Sequence, residues 1–133
     1  MPDGAHSDDS EVWDFLHRHL TSIFAGDWET YRATTAEDLG LYEHFVTRHR
    51  LVGLDFHKFM IENSWATRQA REWRFDLLDR RLQDLGDVMV ASYTLMLSLA
   101  GEAGIEHRTH NETRVLARDA ASWKVVHVHK SPA

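Results

Sequence analysis

The sequence predicts an α+β fold in which N-terminal helices pack against a curved antiparallel sheet. Apolar residues recur every three to four positions up to about residue 65, which is typical of helices, and every second position from residue 72 onward, which is typical of strands. The predicted strands follow one another along the chain, an order that favours antiparallel pairing. A length of 133 residues suits one domain, and we expect it to span residues 8–133.

The first predicted helix begins near Ser7–Ser10 and ends at Ala25. Acidic residues near its start suit the free N–H groups of a first turn, and Gly26 is of the residue type that ends helices. Its apolar residues form one stripe, at Val12, Trp13, Leu16, Leu20, Ile23 and Phe24. The residues before this helix, 1–7, are polar and are expected to form a flexible tail.

Two shorter helices and a short strand are predicted next. Asp27 can cap a second helix that carries Trp28. The segment Asp38–Glu43 is a strand candidate because apolar residues alternate within it. A third helix is predicted from Asp55 to about Trp65, where aromatic and apolar residues return to helical spacing.

Four long strands are predicted from Glu72 to the end of the chain. Turn and loop residues separate them at Gly86–Asp87, Ala100–Gly104 and Asp119–Ser122. Four twisted strands cannot leave a large apolar face exposed, so the stripe of the first helix is expected to cover it. A curved sheet wrapped over a long helix leaves an open end, which is a natural pocket.

The composition excludes several classes of protein. There are 21 acidic and 15 basic side chains and a net charge of −6, which argues against nucleic acid as the main partner. No apolar run approaches the roughly 20 residues of a membrane helix, and the absence of Cys excludes disulfides and thiolate metal sites. With no visible secretion signal, we expect a cytoplasmic protein. No cofactor is predicted.

Arg114 and Lys130 are the charged residues that the strand pattern places together. If the Asp119–Ser122 turn pairs residue 112 with 130 and residue 114 with 128, both cations meet on one face of the sheet. A guanidinium can hold a carboxylate through two parallel bonds, and Lys adds a point charge. The alternative is a salt bridge of Glu112 with Lys130 or Arg108 on a solvated face.

Three stretches of the sequence carry a family resemblance. Gly53–Phe59, Glu112–Val115 and Trp123–Ser131, with Ala25–Tyr31 as a weaker match, resemble the association (hub) domain of calcium/calmodulin-dependent protein kinase II. The resemblance implies the cone-shaped fold of the nuclear transport factor 2-like and SnoaL-like superfamily, and a homodimer or a larger ring. Kinase activity is not expected, because the chain lacks the Gly-rich loop and His-Arg-Asp motif of kinases.

The resemblance also implies a ligand pocket. In that family the pocket holds three Arg and one His and accepts small carboxylates. His57 matches the His, Arg114 matches one Arg, and Lys130 stands where a second Arg is found. The third Arg would fall near Tyr93–Leu95, where this chain has no basic residue, so the implied pocket carries less positive charge.

Three other roles remain open from the sequence. His127 and His129 share a face of the last strand and are the best metal-ligand candidates, although a metal site needs three or four ligands and none is predicted. A small isomerase, dehydratase or cyclase would pair His57 with a carboxylate such as Asp38 or Glu62. A third possibility is a pure oligomerisation module. A non-catalytic anion-binding domain is favoured over all three.

Overall fold

The computed structural model describes residues 8–120 and 122–133 of the chain; the predicted tail, residues 1–7, lies outside them. The described residues form three helices, α1 (Asp8–Ala25), α2 (Trp28–Ala33) and α3 (Asp55–Glu62). They also form six strands, β1 (Thr35–Glu43), β2 (Leu51–Val52), β3 (Glu72–Asp84), β4 (Val88–Gly101), β5 (Gly104–Asp119) and β6 (Ser122–Pro132). No helix in this part of the chain is long and apolar enough to cross a membrane.

The predicted α+β architecture is confirmed, with one sheet in the order β2-β1-β6-β5-β4-β3. Strands β3 to β6 form the predicted antiparallel meander. The sheet continues beyond β6, because β1 pairs with β6 in parallel and β2 pairs with β1. Strand β1 is longer than predicted, and β2 was not predicted, since two residues are too few to show a period.

The helix boundaries follow local backbone chemistry. Helix α1 ends at Ala25, and Gly26 then adopts a positive φ of 72°. Asp27 caps α2 as predicted, accepting from the Thr30 backbone N–H at 3.2 Å. Helix α3 ends at Glu62 rather than near residue 65, because Ser64 adopts a φ of 47° that no α-helix contains.

The core lies between α1 and the inner face of the sheet. The predicted stripe of α1 is buried at Val12, Leu16 and Leu20, and it packs on the inward residues of β4, which are Met89, Ala91, Tyr93, Leu95, Leu97 and Leu99. At roughly 25 cal/mol per Å² of apolar area, this burial is the main source of stability. It leaves one open end between α1, α3 and the sheet.

A β-bulge in β6 decides which side chains reach that open end. The pairing with β5 skips Val126, since Val115 pairs with His127 and Leu116 pairs with Val125. Val125 and Val128 are consequently both buried, and the alternation that starts at Trp123 is shifted by one residue. The shift turns Lys130 toward the core and leaves His129 exposed on the outer face.

Candidate functional site

Arg114 lies on the inner face of β5 and is fully buried. The predicted pairing is confirmed: Glu112 is opposite Lys130, and Arg114 is opposite Val128. Glu112 and Arg114 point to the same face because they are two residues apart on one strand. The structure therefore brings both predicted cations to the open end of the core.

Two of the three guanidinium nitrogens of Arg114 have hydrogen-bond partners. Its Nε donates to the Tyr93 hydroxyl at 3.1 Å and to Glu112 Oε1 at 3.3 Å, and Nη1 lies 3.4 Å from His19 Nε2. Nη2 is buried and has no hydrogen-bond partner among the described residues. Buried donors are nearly always satisfied in folded proteins, so this nitrogen marks a place for an acceptor.

Lys130 is held between two carboxylates. Its Nζ lies 2.6 Å from Glu43 Oε1 and 3.9 Å from Glu112 Oε2. The alternative of a Glu112–Lys130 salt bridge is right about the pair, but the solvated face is wrong, because Glu112 is only 3% exposed. Arg108 does not take part, since it pairs with Glu106 at 2.7 Å.

His57 lies in the middle of a buried hydrogen-bond network of polar side chains. Its Nε2 is 2.9 Å from Glu43 Oε1, and its Nδ1 contacts the Tyr31 hydroxyl. Strand β1 supplies Glu43, α2 supplies Tyr31, and α3 supplies His57 itself. Because Glu43 also contacts Lys130, this hydrogen-bond network extends without a gap from α2 to β6.

Tyr93 stands where the resemblance implies the third Arg. Its side chain points inward, and its hydroxyl donates to Glu112 Oε1 at 2.6 Å while accepting from Arg114 Nε. A neutral hydroxyl therefore holds the buried Glu112–Arg114 pair together. At this position the cavity therefore lacks the cation that the resemblance implies, although Arg108 lines the cavity elsewhere.

The polar floor of a cavity of about 320 Å³ is formed by Glu43, His57, Glu112, Arg114 and Lys130. Tyr31, Tyr93 and His19 contact these residues from outside the lining. The other walls of the cavity are largely apolar and come from α1, α3 and β4. The full lining is Leu20, Ile23, Phe24, Glu43, His44, Phe45, His57, Met60, Ile61, Trp65, Ala66, Leu95, Leu97, Arg108, Thr109, His110, Glu112, Arg114 and Lys130. A polar floor under apolar walls suits a small molecule with one polar end.

The two cavity carboxylates are ionised. Burial alone would raise the pKa of Glu43, but Lys130 and His57 outweigh burial and hold that pKa at about 2. Burial likewise opposes ionisation of Glu112, yet Arg114 and His110 keep its pKa well below the usual range. The charges of Arg114 and Lys130 are thus matched by two carboxylates.

The two buried histidines carry no charge at neutral pH. Burial lowers the pKa of His57 against the opposing effect of Glu43. Burial and the neighbouring Arg114 lower the pKa of His19 well below its usual value. The two ion pairs of the floor, Lys130–Glu43 and Arg114–Glu112, together with these neutral histidines therefore carry a net formal charge of zero at pH 7.

The remaining predicted residues lie outside the cavity. Asp38 and Glu62 are exposed, and neither reaches His57. His127 and His129 flank the ring of Tyr42 on the outer face of the sheet, with ring centroids 6.0 and 5.2 Å from it. No cluster of three or more possible metal ligands occurs in the described part of the chain.

Sequence reasoning missed four of the side chains that build the site, namely His19, Tyr31, Glu43 and Tyr93. Two of them had a local signal. Glu43 continues the inward alternation of Leu39 and Leu41, which makes a buried carboxylate predictable once β1 is placed in the sheet. His19 lies one turn after the buried Leu16 on α1. The other two show their roles only through contacts with distant residues.

Comparisons with known proteins agree with this architecture. The family model described as "Calcium/calmodulin dependent protein kinase II association domain" matches residues 8–133. The calcium/calmodulin-dependent protein kinase type II alpha chain of Drosophila melanogaster is 26% identical over 124 residues, which are 91% of this chain but 23% of that protein. The chain thus spans about a quarter of the length of this curated relative.

Two solved structures show the same fold. The hub of the S. rosetta kinase has a TM-score of 0.81 and 27% identity, and the match covers 100% of both chains. A nuclear transport factor 2-like superfamily protein from Salmonella enterica has a TM-score of 0.73 and 19% identity, over 98% of this chain and 94% of that chain. The nuclear transport factor 2-like fold expected from the sequence is confirmed.

Proposed function

We propose, from the premise that this chain belongs to the calcium/calmodulin-dependent protein kinase II association domain family, that it is a self-associating domain whose cavity binds a small organic carboxylate. The observation that carries the ligand proposal is the unpartnered Nη2 of the fully buried Arg114. The self-association proposal is carried by the outer face of the sheet. The domain acts as a binding module and not as a kinase.

An acceptor on the ligand would complete the hydrogen bonding of Arg114. A buried donor left without a partner costs about 1–3 kcal/mol. A carboxylate oxygen is the strongest acceptor for a guanidinium N–H, and its second oxygen can face the ammonium of Lys130. The apolar walls formed by Leu20, Leu95 and Ile61 suit a short hydrocarbon or ring behind the carboxylate.

The cavity carboxylates support binding over catalysis. An isomerase of this fold needs a base whose pKa lies near the working pH. The pKa of Glu43 is about 2, and that of Glu112 is also lowered, so neither can remove a proton efficiently at neutral pH. Both carboxylates instead hold the cations of the floor in place.

We expect hexanoate and benzoate to raise the melting temperature of the protein. At ten times the dissociation constant the gain is about 1.4 kcal/mol, which corresponds to roughly 4–6 °C for a domain of this size. Differential scanning fluorimetry, with hexanamide as the uncharged analogue, measures the effect. Arg114→Lys keeps the charge but removes the forked donors, so most of the gain should disappear.

Arg74→Lys is the matched control for that experiment. Arg74 pairs with Asp76 on an exposed face, with 74% of its side chain exposed, and should leave the ligand effect unchanged. Indifference of the wild-type protein to every carboxylate tested would contradict the proposed ligand class. An equal gain with hexanamide would show that the carboxylate is not recognised.

The outer face of β4 and β5 supports self-association. No outward residue in the middle of these strands carries a formal charge, a set that comprises Val88, Val90, Ser92, Thr94, Met96, Thr113, Val115 and Ala117. Charged residues are depleted at the centres of protein interfaces, whereas solvated sheet faces usually carry them. We therefore place a second copy of the chain against this face.

A charge in the centre of that face should break the assembly. Thr113 lies between Ser92 and His129 across the strands, so Thr113→Lys places an ammonium in the middle of the proposed interface. We expect size-exclusion chromatography with light scattering to show a loss of assembly of at least tenfold in affinity. Asn63→Lys, at the exposed end of α3, is the control. A monomeric wild type, or an unchanged Thr113→Lys assembly, would contradict this interface.

A further inference from the structure

We propose that the cavity takes up one proton together with its carboxylate, that His57 receives this proton, and that the site therefore selects monocarboxylates. This inference rests on the proposed function, because it describes how the same cavity accommodates the charge of its ligand. It goes further because it assigns His57 the role of proton acceptor during binding, rather than that of a residue that contacts the ligand.

The first step is the balance of charge in the floor. Lys130 and Arg114 face Glu43 and Glu112 at distances of 2.6 and 3.3 Å. A bound monocarboxylate would leave one negative charge without a counter-charge, and a dicarboxylate would leave two. Because an unmatched charge is costly in a buried site, binding favours any change that adds one positive charge.

The second step identifies the carboxylate that loses its partner. A ligand that reaches Nη2 of Arg114 and the ammonium of Lys130 competes with Glu43 for Lys130. Glu43 has a second neighbour, since His57 Nε2 lies 2.9 Å away on its other side. Protonation of His57 would give Glu43 a full counter-charge without any movement of heavy atoms.

The third step concerns the second ring nitrogen. Nδ1 of His57 contacts the Tyr31 hydroxyl, which can donate to a neutral ring or accept from a charged one. Both N–H groups of an imidazolium would therefore find acceptors. His57 also lines the cavity, so a proton from solvent can reach it before the ligand closes the floor.

The surroundings of His57 keep it neutral in the empty cavity. The charged and titratable groups that act on it from the packed elements are Tyr31, Glu43, His19, Arg114 and Lys130. Burial lowers its pKa, and Lys130 and Arg114 add to this effect, whereas Glu43 opposes it. An added anion would act in the same direction as Glu43 and raise the pKa of His57.

The test is isothermal titration calorimetry of the full chain with hexanoate, in phosphate and Tris buffers from pH 6 to 9. Buffers with different ionisation enthalpies report the number of protons taken up. We expect an uptake approaching one proton per ligand, and a dissociation constant that rises up to tenfold per pH unit above neutrality. Adipate, with two carboxylates, should bind at least tenfold more weakly than hexanoate.

A variant assigns the proton to one residue. His57→Gln keeps a polar side chain of similar length and should abolish the uptake and flatten the pH dependence. His107→Gln, on the exposed end of β5, is the matched control. If His57→Gln does not fold, the His57 ring resonances of the wild type, followed by NMR with and without hexanoate, give the same answer.

Three outcomes separate this inference from the proposed function. Hexanoate binding with no proton uptake would overturn the inference and leave the proposed function standing. His110 is the competing proton acceptor, because it contacts Glu112 at 2.5 Å. Proton uptake that persists in His57→Gln and is lost in His110→Gln would therefore overturn the assignment to His57. Absence of binding by any carboxylate would refute the proposed function itself.

Discussion

Replacing Glu112 with Gln is expected to lower the free energy of unfolding by about 3–5 kcal/mol. Glu112 is the only carboxylate within 4 Å of Arg114 among the described residues, and both side chains are buried. The amide keeps an oxygen for the Tyr93 hydroxyl but removes the negative charge. The guanidinium of Arg114 then stays buried without a counter-charge, and an unpaired buried charge is strongly destabilising.

Urea unfolding at pH 7 measures this loss, and an exposed pair provides the control. Asp76→Asn removes the same type of charge from Arg74, and we expect it to cost far less than Glu112→Gln because the pair faces solvent. A loss below about 1 kcal/mol for Glu112→Gln would show that Arg114 does not depend on Glu112.

A smaller side chain at the same position allows a rescue experiment. Glu112→Ala leaves space beside Arg114 that acetate can enter, so acetate should restore part of the lost stability. Propanol, which has no charge, should not restore it. This pattern would show that the floor recognises a carboxylate as such, whether it belongs to the chain or to a ligand.

The part of the site that lies on β5 could be predicted from the sequence, but its meeting with Lys130 depends on the bulge in β6. The turn after Asp119 pairs Asp119 with Ser122, and the bulge at Val126 then shifts the register by one residue, so that Glu112 pairs with Lys130 and Arg114 with Val128. Period-two alternation on β5 predicts that Glu112 shares a face with Arg114. The Glu112–Arg114 relation depends on residues close in sequence, where the strand period determines the geometry.

The part of the site that lies on β1 could not be predicted in the same way. Glu43 pairs with Lys130 across a parallel contact between strands 87 positions apart, and no turn sets that register. The bulge at Val126 reverses the side-chain alternation within β6, and the sequence shows no break there. The pairing of Lys130 with Glu43, and the bulge that turns Lys130 inward, therefore became visible only in the structure.

The free energy of unfolding is expected to fall in two stages as the pH drops. The first stage begins near pH 6.5, the ordinary value for His. His19 and His57 have lowered pKa values in the folded protein, mainly through burial, so the unfolded chain binds protons there that the folded chain does not. Stability from these groups is complete above pH 6.5 and is lost on acidification.

The second stage begins near pH 4.5, the ordinary value for Glu. The pKa of Glu43 is about 2 because Lys130 and His57 outweigh the effect of burial, and Glu112 is also lowered. The difference between 4.5 and about 2 corresponds to about 3 kcal/mol from Glu43 alone, lost between those two pH values. Both stages have the same sign, so acidification destabilises the fold throughout.

Urea unfolding at pH 8, 6.5, 5.5, 4.5, 3.5 and 2.5 separates the two stages. His57→Gln should remove the part of the first loss of stability that comes from His57 and leave the second loss unchanged. His107→Gln should change neither loss. Stability that stayed constant from pH 8 to 5 would mean that the buried histidines are not neutral in the folded protein. A His57 that is already charged in the empty cavity could take up no proton when the ligand binds. The loss of stability below pH 6.5 and the pH dependence of carboxylate affinity therefore both require a neutral His57.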